Sequence, residues 1–92
     1  MYRLAVTTKF RRDYKRIKKR GYDLALLETL IDALLEGLPL AEAHHDHELQ
    51  GRYKGHRECH ITPDWLLIYT VDQGTLVLTA IRTGTHADLF DL

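Results

Sequence analysis

The stretch DHELQGRYKGHRECHITPDW, residues 46 to 65, contains three histidines, several basic side chains, a Pro-Asp pair and the chain's one tryptophan. Farther on, IRTGTHADLF at residues 81 to 90 adds Arg82 and His86. Imidazoles change charge near neutral pH, and a guanidinium grips phosphate oxygens with two parallel donors. Three chemistries fit His47, His60, Asp64, Arg82 and His86. They are exposed polar residues without a task, as scattered histidines on loops and strand ends often are. They are metal ligands, with HHDH at 44 to 47 adding nitrogens to His60, Asp64 and His86. That spacing matches none of the established zinc patterns, since there is neither a His-Glu-x-x-His helix nor a cysteine pair. Or they cleave RNA without a metal. A ribose 2′-hydroxyl attacks its neighbouring phosphate if one group takes its proton, another protonates the leaving 5′-oxygen, and a cation stabilises the charge on phosphorus. Because the substrate supplies the nucleophile, such a chain needs no Ser-His-Asp or Cys-His arrangement and no carboxylate pair.

The elements that must position these groups follow from periodicity. At 92 residues the chain, 1–92, is read as a single domain with one core. YRLAVT predicts a strand over about 2 to 7, in which Leu4 and Val6 alternate with Arg3 and Ala5. Thr8 is positioned to cap a helix with Phe10, Tyr14 and Ile17 on one stripe, ended by Gly21. Asp23 caps a second helix carrying Leu24, Leu27, Leu30, Ile31, Leu34 and Leu35, closed by Gly37 and Pro39. From there to about His56 no regular element is expected, and a connection of that length gives weight to the histidines inside it. The period then becomes two: HRECHIT, the Pro63-Asp64 turn, WLLIYTV, a DQG turn and TLVLTAIR predict a three-stranded meander. Thr85, with Asp88 three residues on, is expected to cap a short helical turn carrying His86 and Phe90. The fold class expected is α+β, in the order β-α-α-β-β-β, with an antiparallel sheet packed on a helical hairpin.

Alternation places Arg57, Cys59 and Ile61 on one face of the first meander strand and Glu58 and His60 on the other. The Cys-Ile face suits the helices, so His60 is expected to point away from them. Asp64 and Trp65 are expected at the sheet's edge. Strict alternation puts Arg82 on the same face as Leu78 and Ala80. Cys59, being alone, forms no internal disulfide and is read as a packed side chain.

Thirteen basic and thirteen acidic residues cancel, but they are not mixed along the chain. Residues 1 to 20 hold nine Lys or Arg against Asp13, so 9 − 1 = +8, and the remainder holds four against twelve, 4 − 12 = −8. The basic segment suits either a phosphate-rich surface or an acidic partner. No apolar stretch approaches the roughly 20 residues of a membrane span, and the order of apolar and charged residues at the start is wrong for a secretory signal. A cytoplasmic, membrane-free location is expected.

HELQGRYKGHRECHITPDWLLIY followed by RTGTHADLF resembles the YafQ branch of the RelE-type bacterial toxins, in which His-x-Leu-x-Gly, Lys-Gly, His-x-x-Pro-Asp-Trp and Arg-Thr-Gly-Thr-His recur in that order. The resemblance covers about half the chain, and the upstream order of elements agrees with that family's small RelE-like, microbial-RNase-type fold. It implies the toxin of a type II toxin-antitoxin pair, an endoribonuclease that enters the ribosomal A site and cuts mRNA there without a metal or other cofactor. It further implies a catalytic set of His47, His60, Asp64, Arg82 and His86, with Trp65, Phe90 and Lys54 binding substrate. Arg11, Arg12, Lys15, Lys18 and Lys19 would then meet ribosomal RNA or a DinJ-type antitoxin, and operator DNA would be reached only through the antitoxin complex. Two readings stand beside this one: a non-catalytic nucleic-acid-binding module using the basic helix, and a metal-dependent phosphodiesterase using the histidine cluster.

Overall fold

The computed structural model describes residues 1–90 and runs β1 (Arg3–Val6), α1 (Thr8–Lys19), α2 (Leu24–Leu35), β2 (His47–Glu48), β3 (Arg57–Thr62), β4 (Trp65–Asp72), β5 (Val77–Gly84) and α3 (His86–Phe90). The Thr7 hydroxyl, one residue before the expected cap, accepts from the Phe10 N–H at 2.9 Å and starts α1. It also donates to the Ile81 carbonyl at 2.7 Å, which ties the helix start to β5. Asp23 caps α2 as expected, accepting from the Ala25 N–H. Between the helices Gly21 takes φ 81°, a left-handed conformation that closes α1 at little cost in glycine.

The sheet order is β1-β5-β4-β3-β2. The meander is antiparallel as expected, but β1 pairs with β5 in parallel, so the sheet is mixed. The connection from Leu38 to His56 also holds more structure than periodicity shows: two 3₁₀ turns, at Glu42–His44 and Gly51–Tyr53, flank the two-residue strand β2. Elements this short have no period to read.

The central strand β4 is buried on both faces, which is why WLLIY reads as a continuous apolar run. Trp65, Leu67 and Tyr69 join Phe10, Ile17, Leu27, Leu30, Cys59 and Leu78 in the main core under α1 and α2. Leu66 and Ile68 face the other way, under α3, with Leu89, Tyr53 and Phe90. Trp65 therefore does not lie at an exposed edge. It is 2% exposed, meets Tyr22 edge-on at 5.0 Å and donates its ring N–H to the Thr83 hydroxyl at 2.9 Å. A ring so enclosed has no surface for an RNA base and serves to fix the start of β4, next to Asp64.

Arg82 departs from strict alternation for an identifiable reason. Ala80 opposes Tyr69, yet Arg82 opposes Ile68, so Ile81 is an extra residue in β5. Cross-strand partners share a face. Ala80 therefore lies with the main core, Arg82 starts from the α3 side, and Thr83, opposite Leu67, returns to the helix side. The bulge reverses the alternation for the residues that follow it, Arg82 and Thr83 included.

Candidate active site

His60, near the end of β3, and Asp64, in the turn before β4, are brought close to α3 by the β3–β4 turn. The Thr85 hydroxyl accepts from the Asp88 N–H while Asp88 accepts from the Thr85 N–H at 2.9 Å, so the expected capping box is formed. Asp88 is also gripped by both guanidinium ends of Arg20, at 2.7 and 3.0 Å, which pins α3 to the end of α1. Gly84 precedes it at φ 155°, where a Cβ would come within 2.9 Å of Asp88. This anchored turn sets His86 so that one Asp64 oxygen accepts both its backbone N–H, at 3.1 Å, and its Nδ1–H, at 2.6 Å. Those two hydrogen bonds hold the Asp64 carboxyl below the usual carboxylate range. With Nδ1 engaged, Nε2 of His86 has no hydrogen-bond partner among the described residues.

The His60 and His86 rings lie edge to face with centroids 5.6 Å apart. His60 has an acceptor at each nitrogen: the Pro63 carbonyl 3.3 Å from Nδ1 and Glu58 3.4 Å from Nε2. Glu58, only 5% exposed, also lies 3.7 Å from His47, its partner in the β2–β3 register. Two imidazoles with a carboxylate behind each, partly open to solvent, have the makings of an acid/base pair.

The expected residues thus fall into groups. His60, His86 and Asp64 are in direct contact, and His47 joins them through Glu58. Arg82 is bound elsewhere: Asp13 of α1 accepts from its Nε at 2.6 Å and its Nη2 at 3.1 Å. That pairing keeps the guanidinium protonated, its pKa raised above the ordinary value. Phe90 packs edge-on against Tyr53 at 5.9 Å, and Lys54 is exposed at the end of the second 3₁₀ turn. Arg11, Arg12, Lys15, Lys18 and Lys19 are all exposed on α1. The donors that converge are not those of HHDH. Glu58, His60 and His86 each place one ligand atom within 4.8 Å of the others, whereas His44 and His47 each use Nδ1 to donate to a backbone carbonyl at 2.6 Å.

Sequence reasoning missed Glu58 and Asp13. Glu58 shares a strand face with His60, which was visible. Asp13 is the sole acid among the nine bases of residues 1 to 20 and lies on the stripe of Phe10, Tyr14 and Ile17, a pattern that marks an acid turned inward.

The Arg20–Asp88 anchor has a pH signature. Arg20 holds the Asp88 carboxyl well below the usual range. A carboxylate depressed on folding adds stability above its unfolded pKa of about 3.9, and that contribution disappears as pH falls toward the folded value. Melting temperature should therefore drop as pH falls below about 4, and Asp88→Asn should flatten this part of the profile. An unchanged acid slope in that variant would assign the loss to other carboxylates.

The sequence matches the family model described as bacterial toxin of type II toxin-antitoxin system, YafQ, over residues 2–91. The mRNA interferase toxin YafQ of Escherichia coli K12 is 43% identical over 82 residues, covering 88% of this chain and 87% of that protein. The crystal structure of a metal-bound toxin from Helicobacter pylori superposes with TM-score 0.92 at 39% identity, over 98% of this chain and 100% of the other. YafQ in the E. coli DinJ–YafQ complex gives 0.88 at 38% identity, over 98% and 99%.

Proposed function

Given that the chain belongs to the YafQ family of bacterial type II toxins, we propose that it is an endoribonuclease that cuts mRNA in the ribosomal A site by metal-independent acid/base catalysis. The observation that carries this reading is the His60–His86 pair, each ring backed by a carboxylate. One imidazole takes the 2′-hydroxyl proton as that oxygen attacks phosphorus. The other gives a proton to the departing 5′-oxygen, leaving a 2′,3′-cyclic phosphate and a free 5′-hydroxyl. Arg82, oriented by Asp13 through Nε and Nη2, stabilises the charge on the phosphoryl oxygens. Cys59 is no rival nucleophile, because burial pushes its thiol pKa far up.

The ribosome supplies what the chain's charge does not. Net charge is zero, and the exposed cations of α1 sit on one helix where ribosomal RNA can dock. The same helix suits the acidic segment of a DinJ-type antitoxin, which would shield it in the inactive complex and carry the toxin to operator DNA. Ribosome-bound message should be cut well and naked message poorly, with undiminished activity in EDTA. Equal cutting of both would remove the ribosome from the reading.

A second reading rests on the convergence of Glu58, His60 and His86 and on the similarity to a toxin crystallised with metal. A cation on both imidazoles would block proton transfer, so added copper(II) or zinc should inhibit and EDTA should restore activity. Loss of activity in EDTA, recovered with zinc or manganese, would instead make the cation the catalyst and displace the metal-free mechanism.

A further inference from the structure

Asp13 is 3% exposed and accepts four hydrogen bonds: two from Arg82, one from Arg16 at 2.7 Å and one from the Thr83 N–H at 3.1 Å. Two guanidinium groups thus share one carboxylate, a group of charge 2 − 1 = +1. Such an excess in a partly enclosed site is costly unless another anion is present. A cleft of about 290 Å³ opens over this group, lined by Lys9, Arg12, Asp13, Arg16 and Arg82. Its lining carries 4 − 1 = +3. The Arg16 Nε is buried in the same place without a hydrogen-bond partner among the described residues, and a buried donor left open calls for an acceptor.

On the other side of Arg82 lies a second cleft of about 270 Å³, lined by Lys9, Arg52, Tyr53, Arg82, Asp88 and Leu89. Asp88 is already neutralised by Arg20. The two clefts share Lys9 and Arg82, so they lie side by side, one against α1 and the other reaching Asp88 and Leu89 of α3.

We propose that the cleft over Asp13 is a binding site for a backbone phosphate of the RNA strand being cut, next to the phosphate at the histidines. The choice of RNA rests on the nuclease reading above; the choice of a phosphate rests on the cluster itself. Forked guanidiniums and an ammonium around a small cavity match a tetrahedral oxyanion. Asp13 orders the two arginines and leaves the group one positive charge in excess, which a phosphodiester neutralises. The neighbouring clefts give direction, with the strand passing from the α3 side by Tyr53 to Lys9 and Arg12.

The test uses the full chain and a fluorescein-labelled 2′-O-methyl RNA of about ten nucleotides, which cannot be cut because its 2′-oxygen carries no proton. Anisotropy is measured from low to moderate salt for the native chain, for Lys9→Ala with Arg12→Ala, and for an outer pair that lines neither cleft, Arg3→Ala with Arg57→Ala. The cleft pair should lose affinity about tenfold, and its salt dependence should shrink by about 0.7 in log–log slope for a lost single-strand phosphate contact. The outer pair should change far less, and matching melting curves would show that all three are folded. Equal losses in both pairs, or no RNA binding by the native chain, would overturn the site. If the cleft pair instead weakened sedimentation with ribosomes and left oligonucleotide binding intact, ribosomal RNA would be its occupant and the assignment to the cut strand would fall. Because the probe is uncleavable, a chain that binds through this cleft but cuts no message on ribosomes would refute the nuclease reading and leave the phosphate site standing.

Discussion

Replacing His86 by glutamine is expected to slow cleavage of ribosome-bound message by about 10²–10⁴-fold, the usual worth of a positioned proton-transfer group, with little change in melting temperature. His86 is partly open to solvent and packs no core, so the loss is chemical. His60→Gln should cost a similar factor. Asp64→Asn should cost less, since it keeps an oxygen facing the His86 ring and removes a largely solvated charge. The environments of the two rings separate their roles. We assign the general acid to His60, whose Nδ1 and Nε2 lie 3.3 Å from the Pro63 carbonyl and 3.4 Å from the buried Glu58 carboxylate. The base is then His86, whose Nδ1 is held by Asp64 and whose Nε2 has no hydrogen-bond partner among the described residues. A substrate with sulfur in place of the 5′-oxygen tests this, because a thiolate leaves without protonation. Cleavage by His60→Gln should recover on that substrate while His86→Gln stays slow. Recovery of His86→Gln instead would exchange the roles, and full activity in either variant on ordinary message would remove that ring from the mechanism.

How far the sequence could be read depends on what kind of signal each residue sends. The helix stripes, the caps at Asp23 and Thr85 and the period-two meander are local patterns, and the structure carries them with shifts of a residue or two. His60 and Asp64 were legible because both flank one tight turn, and His86 because a capping box sets where its helix begins. Strict alternation carries Arg82 to the face of Ala80, but a bulge at Ile81 inserts a residue that no alternation rule sees. Trp65 opens a strand just after a turn, which points to an edge, whereas β4 runs through the middle of the sheet. The parallel pairing of β1 with β5 joins residues more than seventy positions apart, and no local pattern encodes it. Glu58 and Asp13 show a different limit. An acid on a strand or helix reads as solvated until its partners are known, and those partners, His47 and Arg82, come from other elements.

Asp13 is where stability and function are most closely joined, and Asp13→Ala is expected to be the most damaging single change of a polar residue. Removing one partner from a buried charged group costs about 3–5 kcal/mol, because the charges left behind stay desolvated. Here two guanidiniums and the Thr83 N–H lose their acceptor together. Against a total stability of about 5–15 kcal/mol for a small domain, that loss takes a large share, and the variant should unfold at markedly lower urea than the native chain. Arg82→Met should cost less, about 1–3 kcal/mol, since Asp13 then keeps Arg16 and Thr83. The triple change of Asp13→Leu, Arg16→Met and Arg82→Met should recover most of the stability lost in Asp13→Ala, because an apolar cluster of similar volume carries no desolvated charge. It should also be inactive, because the guanidinium of Arg82 is then gone. Urea unfolding of the four chains, beside cleavage of ribosome-bound message, separates the two roles. If Arg82→Met proved as unstable as Asp13→Ala, the carboxylate would not be the common anchor of the group. If the triple variant folded and still cut message, Arg82 would have no part in the chemistry.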